Sequence, residues 1–191
     1  LTIKAIDKDS AFLNTVGFQN SFMSRSACVD YINKLPVFLQ TKGYVTASID
    51  SVIYDSTSAH IVLFLGEAYH WVQLNTDQVN AALLDAVGWR EKNFHDKPMD
   101  FNQVQTWQGK ILDYLENNGY PFAKIYLDSF QVSENNKVSA LLKVDQGPLY
   151  VIDSIRIYGG AKVSNNFLQR YLDIPDGSIY RKEKLLRIQK K

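Results

Sequence analysis

Phe101–Phe130 reads FNQVQTWQGKILDYLENNGYPFAKIYLDSF, and the change of period inside it decides the fold. Val104, Trp107, Ile111 and Leu115 recur at spacings of three and four, so they line one stripe of a helix. That spacing predicts a helix over about 101–117, capped by Asp100. Gly119 stops it, because glycine takes the left-handed geometry that closes a helix at little cost. After Gly119 the period is two. Ala123, Ile125 and Leu127 alternate with Lys124, Tyr126 and Asp128, the pattern of a strand with one buried face. Asn135-Asn136 supplies a turn. Val138, Ala140, Leu142 and Val144 then mark the return strand of a hairpin.

The same words occur earlier in the chain. Lys42-Gly43-Tyr44 corresponds to Asn118-Gly119-Tyr120, a displacement of 76 positions from 43 to 119. That displacement also carries Leu35 onto Ile111, Leu39 onto Leu115 and Ala47 onto Ala123. Further on, Gly66-Glu67-Ala68-Tyr69 matches Gly147-Pro148-Leu149-Tyr150, 81 positions later. The extra residues fall in the hairpin around Ser133–Asn136, where an insertion costs least. A third copy opens, with Met99 mapping onto Tyr180, and is incomplete at Lys191. Domain boundaries are expected at 1–69, 70–149 and 150–191, the last being the start of a repeat.

Within each repeat the expected order is strand, short helix, long helix, strand, strand. In the first, a strand over 1–6 precedes helices near 10–16 and 26–41 and strands near 45–54 and 59–65. Pro36 should kink or break the long helix, because it removes a backbone bond and costs about 3 kcal/mol in an undisturbed helix interior. In the second, a strand over 70–74 precedes a short helix over about 76–87 with Thr76 or Asn75 as its cap. Tyr150–Tyr158, with Ile155 and Ile157, should open the third as a strand. Trp107 is expected in the core, and Trp89 between repeats. The fold class is α+β, β-α-α-β-β, a three-stranded mixed sheet packed on two helices.

Composition bounds the function. The chain has 191 residues, a formal net charge of +1 and 21% charged residues, so no strong field favours nucleic acid. The single cysteine, Cys28, excludes an internal disulfide and sits on an apolar helix stripe. His60, His70 and His95 have no metal-ligand spacing, and no nucleophile elbow or phosphate loop is present. No cofactor or metal is expected. The chain reads as a binding module rather than an enzyme. No apolar run is long enough to span a bilayer. With no initiating methionine, a removed leader is expected.

The order and wording of these motifs resemble the POTRA (polypeptide-transport-associated) domain. Gly119-Tyr120-Pro121-Phe122-Ala123 resembles the family's helix-ending Gly-Tyr-x-x-Ala. Val144-Asp145-Gln146-Gly147-Pro148-Leu149-Tyr150 resembles its Val-Asp-x-Gly-Pro-x-Tyr, and Ile155-Arg156-Ile157-Tyr158-Gly159 its Ile-x-Ile-x-Gly. Gly43, Tyr44, Gly119, Tyr120, Gly147, Pro148, Tyr150 and Gly159 are therefore taken as structural motif positions. The first repeat departs from the pattern, with Glu67-Ala68 in place of Gly-Pro. The resemblance is to the outer-membrane assembly superfamily that includes BamA and TamA. It implies tandem domains in the periplasm of a Gram-negative bacterium, attached to the outer membrane ahead of a C-terminal β-barrel of the same chain. It implies as partners unfolded outer-membrane proteins and periplasmic or lipoprotein subunits. It also implies that the second strand of each sheet is an edge, so Thr46, Ser48 and Asp50 in one repeat and Phe122, Lys124, Tyr126 and Asp128 in the next are candidate contacts. The alternative is a docking scaffold, as in two-partner secretion or cell-division proteins of the family.

Overall fold

The computed structural model describes residues 1–160 and 163–188. The strands are β1 (Thr2–Ala5), β2 (Ser48–Tyr54), β3 (Ala59–Phe64), β4 (His70–Asn75), β5 (Lys124–Val132), β6 (Lys137–Asp145), β7 (Val151–Ile152) and β8 (Ser178–Ile179). The helices are α1 (Ser10–Val16), α2 (Arg25–Thr41), α3 (Ala81–Val87), α4 (Phe101–Glu116), α5 (Asn165–Leu172) and α6 (Lys182–Ile188). Two three-stranded sheets have the orders β1-β3-β2 and β4-β6-β5, and β7 pairs with β8. The α+β order strand–helix–helix–strand–strand is thus written twice.

By contact density the chain divides into two compact units. One contains Leu1–Leu74, Glu91–Val104 and Ser129–Ala140; the other contains Asn75–Arg90, Gln105–Asp128 and the chain from Leu141 onward.

The first unit holds the β1-β3-β2 sheet. β1 runs parallel to β3, from Thr2 opposite His60 to Ala5 opposite Leu63, and β2 is antiparallel to β3 on the other side. Ala5, Leu13, Val16, Cys28, Ile32, Leu35, Leu39, Ala59, Ile61, Leu63 and Leu65 form its buried core. The core draws alternate residues from β3 and one stripe from α2, which is why the periods of two and three-to-four were visible in the sequence. Asp9 caps α1 by accepting from the Phe12 amide, and Ser24 caps α2 by accepting from Ala27. Pro36 lies inside α2, which nevertheless runs unbroken from Arg25 to Thr41. The expected break does not occur. Leu35 and Leu39 flank the proline and are essentially fully buried, so packing of that face outweighs one lost backbone bond.

In the same unit Trp71, Phe94, Met99, Val104, Val138 and Ala140 are buried. Trp71 packs edge-on to Phe101, with ring centres 6.4 Å apart. Asp100 accepts from the Asn102 amide at 2.9 Å, the capping contact expected of it.

In the second unit α3 starts at Ala81 with Asn80 as cap, four or five residues later than Thr76 or Asn75 would have placed it. Asn75 and Asp77 instead bond to each other, the Asp77 amide donating to the Asn75 side chain, which holds that stretch in a turn. Trp107 is only half buried. It stacks edge-on against buried Trp89 at 5.5 Å, and Lys110 Nζ lies 4.0 Å from its ring centre. The helix period placed Trp107 on the right face, but its bulk reaches the surface under a lysine. The strand expected over 150–158 is formed only at Val151–Ile152. A strand needs a neighbour, and among the described residues only Ile179 and Ser178 pair with it; Ile155, Ile157 and Gly159 lie outside regular structure.

The helix ends and linkers share a set of equivalent hydrogen bonds. The Tyr44 amide donates to Leu39 and the Tyr120 amide to Leu115, closing α2 and α4 alike. The Tyr69 amide donates to the Gly43 carbonyl at 2.9 Å, and the Tyr150 amide to Gly119 at 2.8 Å. The Tyr69 carbonyl then accepts from Met99, and that of Tyr150 from Tyr180. His70 bridges Pro98 just as Val151 pairs with Ile179.

Candidate partner-binding edges

β2 and β5 each end their sheet, so among the described residues each has one side without a strand neighbour. Which groups face outward follows from the hairpins. The Asp55 amide donates to the Ser58 carbonyl at 2.8 Å, making this a hydrogen-bonded pair. Pairs alternate along an antiparallel ladder. Ile53–His60 and Ser51–Val62 are therefore bonded, whereas Tyr54–Ala59 and Val52–Ile61 are not. The amides and carbonyls of Val52 and Tyr54 point away from β3. In the second hairpin the Ser133 amide donates to Lys137 at 2.8 Å, and the same count leaves Phe130 and Val132 facing outward.

Both edges are interrupted. Asp50 is the extra residue of a β-bulge, since the register slips between Ile49 and Ser51. The Ser48 hydroxyl donates to its carboxylate at 3.3 Å. Ser129 holds a left-handed φ of 54° in the middle of β5. A bulge and a charge on an edge oppose uncontrolled pairing. What remains regular and open is a short segment beyond each interruption.

The expected contact residues divide accordingly. Ser48, Asp50, Lys124, Tyr126 and Asp128 lie in the two edge strands. Thr46 and Phe122 do not; each sits in the turn before its strand. Phe122 is 65% exposed and packs edge-on to Tyr150 at 5.1 Å. Asp128 is half buried and paired with Lys143 at 2.5 Å. That hydrogen bond, with the carboxylate's charge, raises the lysine above its ordinary pKa. Val52, Tyr54, Phe130 and Val132 were missed as sites, because alternation in sequence reports faces and not which amides point outward.

At the hairpin end of the β1-β3-β2 sheet lies a cavity of about 470 Å³ between the start of α2 and the β2–β3 hairpin, lined in part by Leu1, Phe22, Arg25, Cys28 and Tyr54. Among the described residues no group of three or more His, Cys, Asp and Glu could hold a metal. No helix there is long and apolar enough to cross a membrane.

The arrangement defines a class: tandem helix-on-sheet domains with open second strands. No protein-family model matches the sequence, and no curated protein matches it. Among solved structures the chain is similar to POTRA domains 3–5 of Haemophilus influenzae BamA, at 13% identity and a TM-score of 0.55, covering 99% of this chain and 84% of that one. It also matches POTRA domains 1–3 of the periplasmic domain of Omp85 from Anabaena, at 13% identity, a TM-score of 0.40 and coverage of 97% and 79%. The N-terminal domain of Omp85 from Thermosynechococcus elongatus matches at 11% identity, a TM-score of 0.39 and coverage of 99% and 83%. The BamA likeness shows the fold: this chain has the fold of tandem POTRA domains.

Proposed function

We propose that this chain is a periplasmic, outer-membrane-associated POTRA segment that binds extended stretches of partner proteins by strand addition to β2 and β5. Its repeats are 1–69, 70–149 and the opening of a third over 150–191. The observation that carries the reading is the placement of β2 and β5 at sheet edges with outward backbone at Val52, Tyr54, Phe130 and Val132. Main-chain bonding is tolerant of sequence, which suits unfolded outer-membrane proteins as clients, with lipoprotein or periplasmic subunits as further partners. The work is recognition rather than catalysis.

Magnitudes favour weak binding at each edge. A net hydrogen bond contributes roughly 0.5–1.5 kcal/mol. Two outward residues offer about four such bonds, a few kcal/mol before ordering costs, and a millimolar affinity corresponds to about −4.1 kcal/mol. Two edges on one chain raise the effective affinity without trapping the guest.

Titrating the isotope-labelled chain with an unfolded barrel-protein peptide tests this. Amide shifts concentrated on β2, β5, α2 and α4 are expected; shifts confined elsewhere would refute it. A second reading, a docking scaffold, draws on the Asp50 bulge and the Ser129 backbone, which shorten both edges. It predicts no shifts along β2 or β5.

A further inference from the structure

The two edges differ in what stands beside them. Val52 and Tyr54 have outward backbone, and their side chains lie on the α2 side of the sheet, where Val52 packs on the core. Residues opposed across strands share a face. A guest residue placed opposite Tyr54 therefore projects its side chain toward α2 and the 470 Å³ cavity. Arg25 stands there, exposed, its guanidinium 5.6 Å from the centre of the Tyr54 ring. No carboxylate pairs with it among the described residues. The one anion lining the cavity, Asp55, is already engaged, accepting from the Ser58 hydroxyl at 3.2 Å and lying 3.5 Å from His60. Ser21, Ser56 and Thr57, each bearing a hydroxyl, line the same space. An unmatched cation among hydroxyl donors is complementary to a carboxylate. At the second edge the position matching Arg25 is Phe101, which is committed to Trp71.

We infer that the β2 edge is a selective site for an extended polypeptide segment carrying an aspartate or glutamate side chain opposite Tyr54, its carboxylate seated at Arg25 in this cavity. The inference rests on the strand-addition reading and adds a side-chain requirement to one edge only. Arg25 gives direction and register, while the outward amides and carbonyls of Val52 and Tyr54 give the backbone bonds.

The test uses the whole chain and a set of extended peptides, with amide shifts giving both site and affinity. The peptides carry Glu or Gln at the position opposite Tyr54, and one ends there in a free α-carboxylate. The expected result is shifts at Val52 and Tyr54, binding roughly tenfold weaker for Gln than for Glu, and loss of that difference in Arg25→Gln. An Arg25→Lys variant should retain part of the preference, since the charge remains while the planar fork is lost. Equal affinity of Glu and Gln peptides, with shifts still at Val52 and Tyr54, would overturn the carboxylate site and leave strand addition standing. Preference for the peptide that ends at this position would overturn the side-chain source. Absence of shifts at Val52 and Tyr54 at millimolar peptide would overturn strand addition at this edge itself.

Discussion

Gly43 and Gly119 occupy equivalent positions, with φ of 90° and 98°. At Gly43 a β-carbon would collide with the Tyr69 carbonyl, and at Gly119 with the Leu149 and Ile179 side chains. Gly17 has a similar φ of 82° with open space around it. Gly17→Ala should therefore cost about 1–2 kcal/mol, the penalty of the left-handed backbone alone. Gly43→Ala should cost upward of about 3 kcal/mol, because a backbone carbonyl must also move. Urea unfolding of the two variants compares them, and equal costs would show that the close approach at Gly43 is unimportant. Asp7 is a second informative residue. Partial desolvation of its carboxyl pushes it up, but the Leu65 and Gly66 amides donating to it at 2.9 and 2.8 Å, with Lys8 nearby, hold it below its ordinary value of 3.8. Its folded pKa is depressed, so its contribution is complete above that ordinary value and disappears as pH falls through the folded one. The group is exposed, so the expected loss is only about 1 kcal/mol. Denaturation midpoints measured from neutral pH to pH 2 should fall less steeply for Asp7→Asn.

The helix and strand faces were legible because burial imposes a period: α2 buries all four residues of its stripe, α4 buries Val104, Ile111 and Leu115, and β6 buries Val138, Ala140 and Leu142, while Trp107 and Val144 stay half exposed. Which strand lies next to which was not legible, because alternation records a face and not a neighbour; the edge assignments came from the family resemblance. Nor could alternation show the Asp50 bulge, which moves an extra residue into β2 without disturbing the apolar positions on either side. The start of α3 was misplaced because Asn75 and Asn80 are both competent caps, and only the local Asn75–Asp77 bonding settles which one is used. Two variants test the element-level account. Ser24→Ala should cost about 1 kcal/mol through loss of the α2 cap. Leu35→Ala should cost about 2–5 kcal/mol, since Leu35 is fully buried beside Pro36 and the cavity it leaves is walled by helix and sheet. A Leu35→Ala cost below 1 kcal/mol would mean that packing does not hold α2 continuous through the proline.

Across the whole chain, the case for repetition is strongest in bonds rather than letters. The pairs Gly43–Tyr69 and Gly119–Tyr150, and Tyr69–Met99 and Tyr150–Tyr180, are the same hydrogen bonds made by different residues. The functional account depends on what the copied sheets leave open, namely outward backbone at alternate residues of their second strands. Residue-resolved amide hydrogen exchange of the free chain reads this without any partner. The account predicts slow exchange at Ser51, Ile53 and Gln131, whose amides bond inward, and rapid exchange at Val52, Tyr54, Phe130 and Val132. Uniform protection along β2 and β5, or the opposite alternation, would contradict it.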